Sequence, residues 1–440
     1  MKFRVERDAL GEAVSFVARA LATRPVVPVL SGLLVEADDD QLTLSCFDYE
    51  MSARVTIAAD VGEIGTALVP GRLLAEITRS LPHADVDVST AAGMVMLTCG
   101  SAEFALVELP LDEYPALPTL PPVAGTADGQ ALATAAAQVA PSASRDDTLP
   151  MLTGVCLEFD GSGLTLVATD RYRLAAATLP WEPADPGVRA SALVPARMLA
   201  DAAKSMGAGG PVAIAFGRSA HDGTRPADGV ISFEGGDRRL TARLIGTEFI
   251  RYQSRFPASF EASAELAAAP FIDAVRRVSL VADRLTPVQL EFRPGGVVIE
   301  AQSSGRARAI ESLPARFDGS QQMMISFNPQ YLLDGITAAA LSGHGRPSGP
   351  ADPDGGQAAG VGRIRIEFSS PAKPALISWV EGNATASADV DHPDHPATAQ
   401  QGGNGDGGVV PSSAVRGEPT PADAAAFRYL VVPLRVPVVG

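Results

Sequence analysis

The chain carries the same stretch of sequence three times. Residues 28–48 and residues 150–170 align without a gap at an offset of 122 residues, sharing Pro, Leu, Gly, Glu, Leu-Thr-Leu and a final Asp. Residues 287–302 keep the Pro, the Leu-Glu-Phe and a glycine turn. Each copy has β-rich runs around a polar turn, which is typical of a β-hairpin. The chain is therefore expected to fold as a series of similar domains.

A strand that runs into a helix follows each hairpin. The three copies are residues 66–81, 191–206 and 323–338. Pro70, Pro195 and Asn328 fall near the predicted helix starts, where a fixed φ angle or a capping side chain is favourable. A further helix with a 3.6-residue apolar period opens each unit, as at residues 10–21 and 271–278.

These patterns predict an α+β fold of three repeated domains, each with two helices packed on antiparallel sheet. Pro-rich joints suggest boundaries that give domains at residues 1–118, 119–257 and 258–440. The third domain contains two stretches rich in Gly and Pro, at about 342–362 (10 of 21 residues) and 382–421 (12 of 40 residues). Neither has the apolar periodicity needed to offset its ordering entropy, so we predict two disordered inserts between strands.

Composition limits the kinds of partner and compartment. The formal net charge is −16, so contact with nucleic acid requires a local basic surface. No stretch approaches the ~18 consecutive apolar residues of a membrane span, and the charged N-terminus has no apolar signal segment. Three cysteines without a CxxC pair favour neither a disulfide framework nor a zinc site, and we expect Cys46, Cys99 and Cys156 to be buried apolar residues. The sequence predicts a cytosolic protein.

The sequence contains no established catalytic motif. GxxxxGK, HExxH and GxSxG are all absent. His392 and His395 have a spacing that metal ligands can have, but the insert around them offers no further ligands. Asp48 and Asp170 occupy the same position of two repeats, which favours turn-forming or capping aspartates over an acid–base pair. We predict no catalytic residue, no bound metal and no cofactor.

The helix that follows each hairpin carries basic residues in register. Arg72 and Arg79 are seven residues apart and therefore share a helix face, and Arg197 and Lys204 are their equivalents at an offset of 125 residues. The third copy has no basic residue at either position. Two interpretations stay open: an ordinary solvated helix face, or a segregated positive surface that contacts phosphates without reading bases.

Four segments of the chain resemble a known family. They are MKFRVER at the N-terminus, LATRPVVPVLSGLLVE (21–36), VATDRYRLA (167–175) and YLVVPLRV (429–436). They resemble the bacterial DNA polymerase III β subunit, the replicative sliding clamp. The resemblance runs from end to end of the chain apart from the two inserts, and the threefold repeat supports it independently.

The resemblance implies a head-to-tail homodimeric ring of six similar domains, with helices lining a central hole and sheets forming the outer wall. Such a ring encircles duplex DNA without sequence specificity and acts as a processivity factor, a non-catalytic accessory subunit of the polymerase holoenzyme. The residues that match DNA-facing positions of the family are Arg24, Arg72, Arg79, Arg197 and Lys204.

The resemblance also implies a pocket for a partner peptide between the second and third domains. Bulky apolar side chains of the peptide would bury against its walls, each worth about 1.5–3 kcal/mol, with Arg173 and Asn328 at the rim. The matching residues are Leu152, Thr169, Arg171, Tyr172, Arg173, Leu174, Ile250, Ser254, Arg255, Asn328, Tyr331, Leu430, Val432, Pro433, Leu434 and Arg435. The alternative for residues 430–434 is a simple edge strand.

The family's subunit contact maps to Phe104 and Leu106 on one side and to Leu280 and Val281 on the other. Expected partners are duplex DNA, a second copy of the chain, the DNA polymerase III α subunit, an ATP-dependent clamp loader, and other polymerases and repair proteins with clamp-binding peptides. No membrane partner is expected, and the predicted location is the cytoplasm, in association with the nucleoid.

Departures from the family pattern leave further interpretations open. Phe249-Ile250-Arg251-Tyr252 stands where the family usually has Phe-Pro-x-Tyr, and Ser254 replaces a frequent Arg. The chain could be a divergent second copy of the clamp with altered partners. Two rival functions are a clamp-like interaction scaffold that no longer loads on DNA and an enzyme with an unfamiliar set of catalytic residues.

Overall fold

The three sequence repeats fold into three α+β units in the computed structural model. The structure describes residues 1–22, 24–207, 210–217, 229–283, 286–303, 306–320, 322–343, 362–380 and 427–434. Nearly all of both predicted inserts lies outside the described residues, as do His392, His395 and the predicted pocket residue Arg435.

The first domain consists of two antiparallel sheets and two helices. Its elements are β1 (Lys2–Val5), α1 (Arg7–Ala18), β2 (Gly32–Asp38), β3 (Gln41–Phe47), β4 (Met51–Ala58), β5 (Asp60–Glu63), β6 (Gly65–Pro70), α2 (Gly71–Ser80), β7 (Val86–Ala91), β8 (Met94–Cys99) and β9 (Ala102–Val107). One sheet has the order β5-β1-β7-β8-β9 and the other the order β6-β2-β3-β4.

The second domain repeats this plan. Its elements are β10 (Val123–Asp128), α3 (Gly129–Val139), β11 (Gly154–Asp160), β12 (Gly163–Thr169), β13 (Arg173–Pro183), β14 (Arg189–Pro195), α4 (Ala196–Met206), β15 (Pro211–Phe216), β16 (Val230–Gly235) and β17 (Arg238–Arg243). Strands β14-β11-β12-β13 form one sheet and β10-β15-β16-β17 the other, and β10 also pairs with β13.

The third domain has the same two helices and two sheets. Its elements are β18 (Ala262–Ala267), α5 (Ala268–Ser279), β19 (Val288–Arg293), β20 (Gly296–Ser303), β21 (Ala307–Pro314), β22 (Arg316–Asp318), β23 (Met323–Phe327), α6 (Pro329–Leu341), β24 (Arg363–Phe368), β25 (Ala375–Val380) and β26 (Phe427–Val431). One sheet has the order β21-β20-β19-β23, and β18, β24, β25 and β26 belong to the other.

Strand pairing continues across both domain boundaries. Strand β17 of the second domain pairs antiparallel with β4 of the first, with Leu240 opposite Ala53. Strand β13 pairs antiparallel with β26 of the third domain, with Leu174 opposite Leu430. The sheets therefore join the domains edge to edge, and backbone hydrogen bonds hold each boundary.

The predicted local elements are confirmed. The repeated hairpins are β2–β3, β11–β12 and β19–β20, and their turns place Asp40, Gly161 and Gly295 at φ values of 61°, 55° and 83°. Gly and Asp suit these turns because they tolerate the left-handed region better than most residues. Pro70, Pro195 and Asn328 are the N-cap residues of α2, α4 and α6.

The helices bury one apolar face against the sheets and against each other. Helix α1 buries Leu10, Ala13, Val14, Phe16 and Val17, and it packs on α2, as α3 packs on α4 and α5 on α6. The three cysteines are buried, as expected, and none is joined in a disulfide. None of the helices in the described ranges is long and apolar enough to cross a membrane.

Candidate functional site

Arg173 lies at the boundary between the second and third domains. Its side chain is only 9% exposed, its Nε donates to Asp170 Oδ2 at 2.9 Å, and its Nη1 donates to Asp334. Nη2 donates to the Pro141 carbonyl, and the guanidinium carbon lies 4.5 Å from the Tyr331 ring centroid. Two carboxylates therefore hold the Arg173 side chain in a largely buried position, and its place at the pocket rim stays a prediction.

The charge of Arg173 is secured by this surrounding. Burial acts to lower the pKa of Arg173. The phenol of Tyr429 and the carboxylates of Asp334 and Asp170 raise it by more than burial lowers it, so the net shift is upward. Tyr429 itself is buried, which raises its phenol pKa, and its hydroxyl donates to the Tyr331 carbonyl at 2.8 Å. Arg173 is a fixed cation that connects the β12–β13 turn to α6.

The β12–β13 turn is held by its own side chains. Asp170 Oδ1 accepts from the backbone N–H groups of Tyr172 (3.0 Å) and Arg173 (3.1 Å), and Thr169 Oγ1 accepts from Arg171 N at 3.1 Å. Asp48 makes the equivalent contacts to Glu50 N and Met51 N in the first domain. The interpretation of both aspartates as turn-forming residues is confirmed.

The same turn projects an aromatic ring outward. Arg171 has a φ of 81°, a conformation that costs a non-glycine residue energy and reverses the chain sharply. Tyr172 follows it, 53% exposed, and its ring stacks over Tyr331 with centroids 6.2 Å apart. The chain after β26 lies beside this pair, since Val432 N donates to the Tyr172 carbonyl and Leu434 N to the Ser326 carbonyl.

A small apolar cluster lies on the face of the sheet beneath the segment that joins the second and third domains. We call it the boundary cluster. Its buried members are Cys156, Val167, Leu174, Ala176, Leu193, Tyr252, Leu376 and Leu430, with Met151, Ile245, Phe249, Ile250, Phe256 and Phe260 packed against them. It is distinct from the main core, and three predicted pocket residues, Leu174, Ile250 and Leu430, belong to it.

Sequence reasoning missed several members of this cluster. Tyr252 is 4% exposed, and its hydroxyl donates to Glu158 Oε2 at 2.7 Å. Burial raises the pKa of the Tyr252 phenol, and the hydrogen bond to Glu158 adds to that shift. The guanidinium of Arg428 lies 4.3 Å from the Phe256 ring centroid. The sequence did contain a signal for this cluster. Phe249, Tyr252 and Phe256 fall at three- and four-residue spacing in the segment between the second and third domains.

A cavity opens beside the boundary cluster. It encloses about 570 Å³, and its lining includes Cys156, Glu158, Leu193, Ile245 and Ile250. The lining is mixed, because polar and charged side chains, among them Thr247, Arg251 and Gln253, stand between the apolar ones. Burial raises the pKa of the Cys156 thiol to about 12, so this sulfur stays protonated and inert at neutral pH.

The remaining predicted pocket residues occupy varied positions. Leu152, Thr169 and Pro433 are buried, whereas Arg171, Ser254, Arg255 and Leu434 are exposed. Asn328 is a helix cap, because its Oδ1 accepts from Gln330 N and Tyr331 N. Asn328, which is predicted to lie at the pocket rim, therefore also stabilises the start of α6.

The predicted DNA-facing residues are all exposed. Arg72 and Arg197 lie in the first turns of α2 and α4, and Arg79 and Lys204 in the last turns. Arg24 lies between α1 and β2. Arg72 Nη2 donates to the Ala22 carbonyl at 3.0 Å, and Arg197 Nε lies 3.9 Å from Asp201 Oδ2.

The tertiary structure brings two of these residues together. Arg79 and Lys204 line one cleft between the first and second domains, along with Arg7, Arg19 and Arg238. The basic residues that recur in register did not indicate Arg7, Arg19 and Arg238, because these three lie outside the helix that follows each repeated hairpin. Their convergence depends on the pairing of β17 with β4.

Strands β9 and β21 are sheet edges that have no partner on their outer side within the described ranges. Strand β9 pairs only with β8, and β21 pairs only with β20. Val107 on β9 is 61% exposed, and Ile310 on β21 is 50% exposed. Each edge therefore combines free backbone groups with an exposed apolar side chain.

The predicted subunit-contact residues lie at or near these edges, but the side chain of one of them, Leu106, points into its own domain. Leu280 is 84% exposed, and Phe104 and Val281 are half-buried. Leu106 is 1% exposed and belongs to the core of its own domain, because side chains alternate along a strand. Its neighbour Val107 points outward, so an apolar side-chain contact at this edge would come from Val107, and the place of Leu106 in the subunit contact stays a prediction.

Most of the chain matches family models of the DNA polymerase III beta subunit. Residues 1–118 match its N-terminal domain, residues 126–250 its central domain and residues 253–342 its C-terminal domain. The Beta sliding clamp of Streptomyces coelicolor is 44% identical over 391 residues, which cover 89% of this chain and 96% of that protein. The Beta sliding clamp of Micrococcus luteus is 46% identical over 318 residues, 72% of this chain and all (100%) of that protein.

Solved structures share the fold. The DNA polymerase sliding clamp of Bacillus subtilis superimposes with a TM-score of 0.75 at 22% identity, covering 99% of each chain. The beta sliding clamp of Caulobacter crescentus superimposes with a TM-score of 0.74 at 25% identity, also covering 99% of each chain.

Proposed function

The chain belongs to the DNA polymerase III beta subunit family, and we propose that it acts as a DNA sliding clamp. In this role it encircles duplex DNA and tethers a polymerase, so that processivity comes from enclosure instead of from tight contact. The observation that carries the proposal is the array of three like domains joined edge to edge by β4–β17 and β13–β26 pairing. Two such arrays, joined at their ends, would make a ring of six domains.

Ring closure is assigned to the edges β9 and β21. These strands lie at opposite ends of the array, and an antiparallel pair between β9 of one copy and β21 of the next would continue the sheet. Val107, Ile310 and Leu280 would supply apolar contact there. The contact is heterologous, and it closes into a ring when the rotation between copies is a half turn.

Contact with the duplex is assigned to the basic helix ends. The chain has a net charge of −16, so contact with phosphates requires local basic groups, and the exposed cations of α2 and α4 can supply them. Contacts of this kind reach phosphates, carry no sequence information and allow the protein to slide. The proposed set is Arg24, Arg72, Arg79, Arg197 and Lys204.

Partner binding is assigned to the surface around Tyr172 and the boundary cluster. Exposed aromatic and apolar groups beside a partly apolar cavity suit a short peptide with bulky side chains. The proposed partners are the DNA polymerase III α subunit, an ATP-dependent clamp loader, and other polymerases and repair proteins. The proposed role is non-catalytic, and the proposed location is the cytoplasm, with the nucleoid.

Topological retention tests the proposal. The purified protein, incubated with a clamp loader, ATP and nicked circular DNA, should remain on the circle through gel filtration. Cutting the circle should release it, because a ring slides off a free end. Retention that persists after cutting, or no retention on the circle, would contradict the clamp and favour a scaffold that does not load on DNA.

A further inference from the structure

A line of charged side chains crosses one sheet face of the third domain. Side chains alternate along a strand, and Leu266 on β18 and Ile364 on β24 are buried, so Glu265 and Arg365 lie on the opposite face. Buried side chains of this sheet pack towards α6, so the line is on the face turned away from the helices. Along the paired strands β22, β18, β24, β25 and β26, the residues opposite one another are Arg316, Glu265, Arg365, Ser378 and Arg428.

Arg363 lies two residues before Arg365 and therefore shares its face of β24. We call Arg316, Arg363, Arg365 and Arg428 the arginine row. Neighbouring strands are about 4.8 Å apart, so the row extends over about 19 Å from β22 to β26.

A single carboxylate, Glu265, lies within the row. Arg365 Nε donates to Glu265 Oε1 at 3.0 Å, and Arg363 Nε lies 3.8 Å from Glu265 Oε2. Arg316 and Arg428 are exposed, and neither has a carboxylate within 4.0 Å among the residues that the structure describes. Four guanidiniums and one carboxylate give a formal charge of +3, in a chain whose total is −16.

A cavity opens at one end of the row. It encloses about 320 Å³, and Arg316 and Arg363 line it together with the apolar side chains of Leu266, Pro270 and Leu313. Arg363 Nε is buried and donates no hydrogen bond within the described ranges. One water occupies roughly 30 Å³ in the liquid, so the cavity has room for a carboxylate side chain beside two guanidiniums.

The neighbouring line of the same sheet face is acidic and then apolar. Asp318 and Glu367 both lie opposite Ser263, on either side of β18. Leu376 lies opposite Glu367 and Leu430. The two carboxylates repel an anion from this side, so an anionic ligand is restricted to the arginine row and its cavity.

The chain carries an acidic segment that is attached to this row at both ends. Residues 381–426, which lie outside the described residues, join β25 to β26. In sequence, these 46 residues contain seven Asp or Glu and one Arg, Arg416. Val380, just before the acidic segment, lies opposite Arg363, and Phe427, just after it, adjoins Arg428.

This attachment favours weak contacts within one chain. A tethered group has an effective concentration on the order of 1 mM, so ion pairs too weak to hold a free peptide are populated when the peptide is part of the chain. Four carboxylates fall within the first 14 residues of the acidic segment, at Glu381, Asp389, Asp391 and Asp394. A chain of that length can extend about 45 Å, which is more than the length of the row.

We propose that the arginine row is the docking surface of the acidic segment of the same chain. Carboxylates of the segment pair with Arg316 and Arg428, and one of them enters the cavity beside Arg363. The segment thereby covers the cations on this face of the third domain. The inference does not depend on the proposed sliding-clamp function. The rival explanation is a solvated sheet face whose arginines have no ligand.

Peptide binding to a shortened chain tests the proposal. Residues 382–425 would be replaced with four Gly and Ser residues, which suffice because β25 and β26 are adjacent antiparallel strands. The ligand is a fluorescent peptide of residues 381–415, which has five acidic residues and no Lys or Arg. Measured by anisotropy, it should bind the shortened chain and bind the full-length chain about tenfold more weakly, because the attached segment competes.

Substitutions in the row locate the binding. R316Q and R428Q, each made in the shortened chain, should weaken peptide binding about two- to fivefold, as expected for exposed ion pairs. R54Q is the matched control, because Arg54 is also exposed on a strand but lies on β4 of the first domain. It should bind the peptide like its parent, and a peptide with all five acidic residues changed to amides should not bind.

A full-length variant tests docking without a deletion. The triple substitution D389N, D391N and D394N keeps the length of the chain and should bind the fluorescent peptide more tightly than the wild type does. Equal binding to the wild type, the triple variant and the shortened chain would show that the segment does not occupy the row, and would overturn the proposal.

Other outcomes also decide against the acidic segment. Binding that is unchanged by both R316Q and R428Q, or equal for the amide peptide, would place the peptide elsewhere. A fluorescent DNA duplex serves as a second ligand for the shortened chain. If R316Q and R428Q weaken binding of the duplex while the peptide does not bind at all, the row is a nucleic-acid surface and the proposal is wrong.

Discussion

Arg173 connects three parts of the chain that are far apart in sequence. It reaches Asp170 in the β12–β13 turn, the Pro141 carbonyl after α3 and Asp334 on α6. Two carboxylates and a carbonyl compensate the cost of removing this cation from water. Arg173 is predicted to lie at the rim of the partner-peptide pocket. Its contact with the Tyr331 ring also lets it support the surface on which a peptide would lie.

Replacing Arg173 with Met should therefore act on stability. R173M leaves Asp170 and Asp334 without their cation in a largely buried position, and we expect a decrease of about 3 kcal/mol in the free energy of unfolding. Urea denaturation followed by circular dichroism measures it. R189M removes an exposed arginine and should change stability by less than about 0.5 kcal/mol. A decrease below about 1 kcal/mol for R173M would show that the buried pairs are not needed.

Helix α6 shows how one element can serve both the fold and the site. Its N-cap Asn328 accepts from two backbone N–H groups, its first turn carries Tyr331, and its second turn carries Asp334. The opposite face of α6 packs on α3 and on β26. A change at the cap is therefore expected to reach the aromatic pair of Tyr172 and Tyr331 through the first turn.

Removal of the α6 cap should be measurable on its own. N328A removes the acceptor for Gln330 N and Tyr331 N, and we expect a decrease of about 1 kcal/mol in stability together with weaker binding of an apolar polymerase-derived peptide. N328D keeps the acceptor and should retain both properties. If N328D binds the peptide as weakly as N328A, the amide group contacts the peptide itself, and the cap is not the reason.

The three-domain array has two ends, and its assembly depends on them. The domains are already joined by continuous sheets, so the strands that pair at each boundary are not available to a partner strand there. Strands β9 and β21, at the two ends, remain open on their outer sides within the described ranges. Unpaired edges are sites of strand addition in general, and here the complementary ends of one chain make a second copy the expected occupant.

A charge on one edge tests this assembly. I310E places a carboxylate on the exposed face of β21 and should yield a monomer of 45.4 kDa in light scattering, whereas the wild type should have twice that mass. M324E is the matched control, because Met324 is also 50% exposed but lies on β23, at the other edge of the same sheet. A monomeric M324E with a dimeric I310E would move the contact to β23.

The sequence alone determined the local structure and the number of domains. The repeated hairpins, the helix starts at Pro70, Pro195 and Asn328, and the family itself all follow from patterns within about 20 residues, where local backbone preferences act. Only the tertiary structure decided which distant side chains meet. Arg173 and Asp334 are 161 residues apart, and Arg19, on the helix that opens the first domain, lines the same cleft as Lys204 of the second domain because β17 pairs with β4. Burial and charge pairing depend on such long-range contacts, and local sequence does not encode them.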